Sequence, residues 1–195
     1  MTTLTDRPSS ALLVVDMQEG VLAPTHGRDA VVENVVALVD QARTGGVPVV
    51  WVQHNDDQGL EQGSAVWELV AGLVPAAPEP VVQKWFADAF EETRLEEVLA
   101  DERVGRLLVC GAQTDECVRG TLHGAVARGY DVFLVSDAHT TEDLSGYGAP
   151  TPDLVVAHTN LVWSGHRAPG RSAGVLTTAE ACAGELAGAG ADRAS

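Results

Sequence analysis

Three residues whose side chains can carry out proton transfer or nucleophilic attack follow apolar segments of strand length. Asp16 directly follows one apolar run, Lys84 ends a second, and Cys117 lies shortly after a third. The carboxyl ends of parallel strands share one edge of a sheet, and ligands bind at that edge. We therefore expect the three side chains to meet, although they are far apart in the sequence.

Such a group of residues supports attack by a thiol on a carbonyl carbon. With Thr114 as the N-cap, Cys117 falls in the first turn of a helix, where free N–H groups and the helix dipole lower the pKa of a thiol. The Lys84 ammonium would stabilise the thiolate further, and Asp16 would take the thiol proton and later return it to a leaving amine. The N–H groups of the same turn would stabilise an oxyanion.

Each of these residues also has an ordinary structural interpretation. A cysteine at a helix start is commonly a small buried side chain, and an aspartate after a strand is commonly a turn residue. A lone lysine is commonly a solvated charge. Spacing alone leaves both interpretations open for each residue, and only their joint placement favours a site.

The elements that must position these residues alternate between strands and helices, which is typical of βαβ units and a parallel sheet. The first strand is apolar on both faces, as expected for a central strand covered by helices on either side. The predicted strands are Ala11–Val15, Val47–Val52, Val81–Gln83, Arg106–Gly111, Val132–Ser136 and Gly174–Leu176. The predicted helices are Asp29–Arg43, a short one capped by Ser64, Thr93–Leu99, Thr114–Arg128, Pro152–Trp163 and a last one capped by Thr178.

We interpret residues 1–195 as a single domain, with an ordered core over about 10–182 and tails at 1–9 and 184–195. The formal charge is −16, from 12 basic and 28 acidic side chains, and no basic run is present. Such a surface repels phosphate backbones, so we expect no nucleic-acid partner. No apolar run approaches the roughly 20 residues that span a bilayer, and the N-terminus lacks a signal peptide, which predicts no membrane partner and a cytoplasmic location.

The cysteine content points to free thiols in a reducing compartment. Three cysteines are an odd number, and neither a CxxC pair nor an HExxH segment is present. We therefore expect no structural disulfide, no metal and no other cofactor.

Five segments of the chain carry a family resemblance. They are LLVVDMQ at 12–18, GSAVWEL at 63–69, VVQKWFADAF at 81–90, CGAQTDECVRGT at 110–121 and VSDAHTT at 135–141. Together they resemble the isochorismatase-like cysteine hydrolase superfamily, which includes nicotinamidases, N-carbamoylsarcosine amidases and ureido hydrolases. The resemblance implies a three-layer α/β/α fold with a central, mostly parallel, Rossmann-like sheet. It also implies a small-molecule substrate, a homo-oligomer (dimer or larger), and a triad of Asp16 as base, Lys84 as stabilising cation and Cys117 as nucleophile.

The resemblance also implies a cis peptide bond between Ala112 and Gln113. We expect the N–H groups of Gln113 and Cys117 to form the oxyanion hole. The candidate substrate-binding residues, which flank the predicted site, are His54, Trp67, Trp85 and Phe86. For the three aromatic residues, packing in the core or in a subunit interface is the alternative interpretation.

Two departures from the family narrow the expected chemistry. The metal-binding D-x-H segment of nicotinamidases is replaced by WVQHND at 51–56, which lacks a matched set of ligands and disfavours a metal-bound nicotinamidase. Isochorismatases of siderophore pathways lack the cysteine, so Cys117 favours an acyl-enzyme route that cleaves a C–N bond of an amide, carbamoyl compound or lactam. Two alternatives stay open: a vinyl-ether hydrolase of the isochorismatase type, and a thiol-based binding or redox-sensing protein without turnover.

Overall fold

A six-stranded sheet forms the centre of the structure, a computed structural model that describes residues 2–188. The strand order is β3-β2-β1-β4-β5-β6, and every neighbouring pair is parallel. The strands are β1 Ser9–Val15, β2 Val49–His54, β3 Val81–Lys84, β4 Val104–Ala112, β5 Asp131–Thr140 and β6 Ala173–Leu176. The predicted α/β fold is therefore confirmed, and within the described residues the sheet is parallel throughout.

Helices cover both faces of the sheet. They are α1 Glu19–Leu22, α2 Arg28–Gly45, α3 Leu95–Asp101, α4 Arg119–Arg128, α5 Pro152–Ser164 and α6 Thr178–Ala183. Successive side chains of a strand point to opposite faces of the sheet, so β1 contributes to a core on each face, and helices cover both cores in a three-layer arrangement. Leu13 packs in a core with α3, α4 and Trp163 of α5, whereas Leu12 packs in a second core with α2 and α6. Among the helices of residues 2–188, none has both the length and the apolar character needed to cross a membrane.

The short helix predicted after Ser64 is wrong. Residues 64–68 form turns and bends, and the Ser64 hydroxyl has no hydrogen-bond partner. The carbonyl groups of Val66 and Glu68 instead accept hydrogen bonds from the backbone of residues 19–20, and Leu69 pairs with Gln18 in an antiparallel bridge. Tertiary hydrogen bonds thus take the carbonyl groups that a helix would need for itself.

Two predicted helix starts also need correction. The chain after β4 first forms a π-helical turn, Thr114–Val118, and α4 follows at Arg119. The N-cap of the π-helical turn is Gln113 rather than Thr114, and its side chain makes no capping hydrogen bond. Thr177, rather than Thr178, caps α6 in a capping box with Glu180. Thr178 instead donates to Asp137, so its hydroxyl is engaged elsewhere.

Parts of the expected tails are packed against the body of the protein. The backbone N–H of Thr3 donates to the carbonyl of Gly129, and Arg7 bonds both Glu96 and the Tyr130 hydroxyl. Leu186 is fully buried. Residues 189–195 of the expected tail lie outside the described residues.

The carboxyl ends of β1 and β4 have unusual backbone conformations. Asp16, the first residue after β1, has a φ of 49°, a left-handed conformation that Asp and Asn tolerate better than most residues. Gly111 in β4 has a φ of 119°, and a Cβ there would collide with the carbonyl of Val15. Because β1 and β4 are neighbours where the strand order reverses, their ends form the place where parallel α/β sheets bind ligands.

Candidate active site

The ammonium group of Lys84 is the centre of the site. Lys84 ends β3 and is fully buried, and its Nζ lies 2.7 Å from Asp16 Oδ2 and 3.0 Å from Cys117 Sγ. It also lies 3.1 Å from Nδ1 of His54, the last residue of β2. An ammonium has three donors and no acceptor, so these contacts use all of its hydrogen-bonding capacity. The structure thus brings the three residues of the predicted triad together at the carboxyl edge of the sheet.

Both charges of the Lys84–Asp16 pair are buried, with exposed side-chain fractions of 0% and 1%. Burial alone would lower the pKa of Lys84, but the neighbouring Asp16 carboxylate and Cys117 raise it, and the net shift is upward. Lys84 is therefore a cation at neutral pH, held by the carboxylate beside it.

The pKa of the Cys117 thiol contradicts the sequence-based expectation. Burial raises it, the Asp16 carboxylate raises it further, and together they outweigh the lowering effect of Lys84, so that the pKa rises to about 12. The helix-start argument failed because the thiol is mostly enclosed, and desolvation disfavours the thiolate. Cys117 therefore rests as a thiol beside an ion pair.

The hydrogen bond to Lys84 determines the tautomer of His54. Because the ammonium can only donate, His54 Nδ1 accepts, and the neutral ring carries its proton on Nε2. Burial lowers the pKa of His54, and the Lys84 ammonium lowers it further. His54 is thus a neutral imidazole with one N–H left to donate.

Asp16, His54 and Cys117 are also a candidate set of metal ligands, since their ligand atoms lie within 4.8 Å of one another. The Lys84 ammonium, however, contacts all three side chains and occupies the space between them. A metal ion would have to displace that ammonium. The donor set accordingly fits the lysine better than a bound metal.

A cavity of about 300 Å³ opens beside these residues. The peptide bond between Ala112 and Gln113 is cis, as the resemblance implied. The residues that line the cavity are Asp16, Val21, His54, Leu60, Ala87, Gln113, Glu116, Cys117 and Glu142.

Of the four candidate substrate-binding residues, only His54 lines this cavity. Trp67 faces a separate depression, and its indole N–H donates to Asn55 Oδ1 at 2.8 Å. Trp85 and Phe86 point to the surface, with 55% and 49% of their area exposed. In the described structure, none of these three aromatic side chains lines the cavity.

Hydrogen bonds from neighbouring elements fix the segment that carries Cys117. His139 of β5 lies 2.8 Å from the Thr114 hydroxyl and 3.0 Å from Asn160 Oδ1. Since the Asn160 oxygen accepts, His139 Nε2 donates to it and Nδ1 accepts from Thr114. The Thr141 hydroxyl donates to Asp115 at 2.6 Å.

Gln18, Glu116 and Glu142 also belong to the site, and the sequence analysis did not single them out. The Gln18 amide donates to the carbonyl groups of His54 and Trp67 and accepts from the His54 N–H, which fixes the end of β2. Glu116 and Glu142 line the cavity. Glu116 precedes Cys117 directly, so its position in the sequence was a usable signal, whereas Glu142 reaches the cavity only through the fold.

The sequence matches the profile of the Isochorismatase domain over residues 10–151. The chain belongs to the isochorismatase family. It is 36% identical over 143 residues to a streptothricin hydrolase of Streptomyces noursei, a match that covers 71% of this chain and only 57% of that protein. It is 29% identical over 170 residues to nicotinamidase 3 of Arabidopsis thaliana, covering 78% of this chain and 84% of that one. In structure it matches the cysteine hydrolase of Pseudomonas syringae with a TM-score of 0.80 at 25% identity, covering 91% of this chain and 92% of that one.

Proposed function

We propose that this family member is a cysteine hydrolase that cleaves a C–N bond of a small amide, carbamoyl compound or lactam. The observation that carries the proposal is the Lys84 ammonium, which contacts both Asp16 Oδ2 and Cys117 Sγ beside a cavity of about 300 Å³. Membership of the family supports hydrolysis, and the relatives named above include a hydrolase and a nicotinamidase.

The first step transfers the thiol proton. Because the Cys117 pKa is raised to about 12, the free enzyme holds almost no thiolate at neutral pH. Asp16 takes the proton as Sγ attacks the carbonyl carbon, so that thiolate character develops only in the transition state. The Lys84 ammonium lies 3.0 Å from the sulfur and stabilises the charge that develops there.

The second step breaks the C–N bond. The new Sγ–C bond places negative charge on the carbonyl oxygen, which the N–H groups of Gln113 and Cys117 stabilise. Asp16 returns its proton to the nitrogen, and ammonia or an amine leaves. Water then attacks the thioester: Asp16 accepts a proton from the water, the C–S bond breaks, and the thiol of Cys117 is restored as the acid product leaves.

His54 orients the substrate in this proposal. Its Nδ1 accepts from Lys84, so a neutral ring in the cavity wall has only the Nε2–H to offer. That N–H donates to a substrate oxygen or nitrogen. The ring also shields the Lys84 ammonium, which keeps the ion pair with Asp16 away from water.

We also propose that the protein acts as a homo-oligomer in the cytoplasm. Trp85 and Phe86, adjacent in sequence, expose 55% and 49% of their area. Large exposed aromatic side chains are enriched where a partner covers them. The three cysteines are free, which fits a reducing compartment.

The test is ammonia or amine release from a panel of small amides, carbamoyl compounds and lactams. Wild type is compared with Cys117→Ala, and Cys182→Ala is the matched control because Cys182 lies outside the cavity. We expect turnover in wild type and control and a loss of at least about a thousandfold in Cys117→Ala. Amide turnover that survives in Cys117→Ala but not in Asp16→Ala would indicate hydrolysis led by Asp16 without an acyl-enzyme at Cys117, as in an isochorismatase-type site, and no turnover in any protein would favour a binding or redox role.

A further inference from the structure

Two carboxylates at the active-site cavity take no part in the proposed chemistry. Glu116 precedes the nucleophile, and Glu142 follows the end of β5. Both line the cavity together with Cys117. Within residues 2–188, neither side chain forms an ion pair or a hydrogen bond. Their charges are therefore available to a ligand.

The charge of this cavity is not balanced by the protein. The Asp16 carboxylate is paired with Lys84, and His54 is neutral. Over the described part of the chain, no Lys or Arg side chain lines the cavity. Glu116 and Glu142 thus leave a net negative potential there, which attracts a cationic group.

A second observation points to a nitrogen ligand. Asp16 is 1% exposed, and its Oδ1 has no hydrogen-bond partner while Oδ2 is bonded to Lys84. A buried, unsatisfied carboxylate oxygen costs free energy unless a donor reaches it. Asp16 lines the cavity, so Oδ1, which takes the thiol proton of Cys117 in the proposed chemistry, can also accept from a substrate N–H.

The remaining walls are aliphatic. Val21, Leu60 and Ala87 line the same cavity. An apolar surface next to two carboxylates suits a short methylene chain that ends in a cation. The cavity thus combines the nucleophile and an unsatisfied carboxylate oxygen with aliphatic walls and two unpaired carboxylates.

From this arrangement we infer that the substrate carries an ammonium or guanidinium group, which Glu116 and Glu142 bind. A short aliphatic spacer joins that group to the scissile amide. The amide N–H donates to Asp16 Oδ1, and the carbonyl carbon faces Cys117. The inference rests on the proposed function of the same site and adds the class of substrate.

The test uses the reactivity of Cys117, which needs no known substrate. A methanethiosulfonate reacts at Cys117 when Sγ attacks its sulfenyl sulfur as Asp16 takes the thiol proton; a sulfinate leaves and a mixed disulfide forms. We would compare the 2-ammonioethyl and 2-sulfonatoethyl reagents, measured at Cys117 by mass spectrometry at low salt. Each rate is divided by the rate of the same reagent with a free model thiol. All proteins carry Cys182→Ser, and Cys110 is fully buried.

Wild type should react faster with the cationic reagent than with the anionic one. The ratio of the two normalised rates should fall about tenfold in the Glu116→Gln/Glu142→Gln variant. Glu33→Gln/Glu97→Gln is the matched control, since it removes two charges from exposed positions on α2 and α3 outside the cavity. The control should keep the wild-type preference. A preference that changes less than twofold in Glu116→Gln/Glu142→Gln overturns the inference.

Failure of this inference and failure of the proposed function give different results. If the cation preference depends on Glu116 and Glu142 but no amide is hydrolysed, the binding inference stands and the hydrolase proposal fails. If amides are hydrolysed, 4-aminobutanamide should be cleaved at least about tenfold faster than pentanamide, which has the same size and no charge. Equal cleavage of the two amides, with no charge preference at Cys117, leaves the hydrolase proposal and removes the inference.

Discussion

Replacing Lys84 by methionine should separate the contribution of the site to folding from its contribution to catalysis. The Lys84–Asp16 contact joins two buried charges at 2.7 Å. With an effective dielectric constant of about 20, the attraction between unit charges at that distance is about 6 kcal/mol. The free-energy cost of burying both groups offsets much of it. Lys84→Met therefore does not simply lose that attraction; it leaves the Asp16 carboxylate buried with both oxygens unpartnered.

Breaking a buried ion pair by removing one partner costs about 3–5 kcal/mol. We expect Lys84→Met to lower the free energy of unfolding by an amount in that range. The double variant Lys84→Met/Asp16→Asn also removes the stranded charge, and asparagine tolerates the left-handed backbone at φ 49°. It should regain at least about 2 kcal/mol of the loss while remaining inactive.

The assay is urea unfolding followed by circular dichroism at pH 7.5, with ammonia release measured on the same proteins. The m-values must agree for the free energies to be compared. A loss below about 1 kcal/mol in Lys84→Met would refute the buried-pair argument. So would a double variant no more stable than the single one, because the stranded Asp16 charge is the stated cause.

Three further predictions concern stability and assembly. Burial lowers the pKa of His139 below 6.5 in the folded protein. As the pH falls, the unfolded chain therefore binds a proton at this histidine before the folded protein does. The stability present above about pH 6.5 is then lost at up to about 1.4 kcal/mol per pH unit below it. His139→Gln should flatten the urea-unfolding profile between about pH 6.5 and 5, and an unchanged slope would exclude His139 as a source. Gln18→Ala removes the side-chain partner of the His54 N–H and carbonyl, whereas the Trp67 carbonyl keeps its bond from Gln53. The change should cost about 1–3 kcal/mol, and an unaltered urea midpoint would contradict that. Trp85→Ser/Phe86→Ser should reduce the mass measured by sedimentation equilibrium with little change in thermal stability. A monomeric wild type would refute the proposal that these side chains lie in a subunit interface.

The periodicity of the sequence was sufficient to predict the strands, because a parallel sheet buried on both faces requires continuous apolar runs. All six predicted strands are present, with ends that differ by a few residues. The short helix after Ser64 was not predictable from local pattern. Its backbone carbonyl groups bond residues near the end of β1, and a contact so distant in sequence leaves no periodic signal.

The convergence of Asp16, Lys84 and Cys117 follows from sequence alone once the strands are known. Each residue stands at or just after the carboxyl end of a strand, and parallel strands present those ends at one edge. The sequence therefore determines which side chains meet. It does not determine their environment, and the predicted direction of the Cys117 pKa shift was wrong for that reason.

The tertiary structure decided the properties that depend on enclosure. Cys117 is surrounded closely enough that desolvation outweighs the nearby ammonium and raises its pKa to about 12. Trp85 and Phe86 turn outward, and Glu142 reaches the cavity from a different strand end. Strand ends can be predicted from sequence because they depend on a short-range pattern of apolar residues. Solvent exclusion and the lining of a cavity depend on atoms from elements that are distant in the chain, so only the tertiary structure determines them.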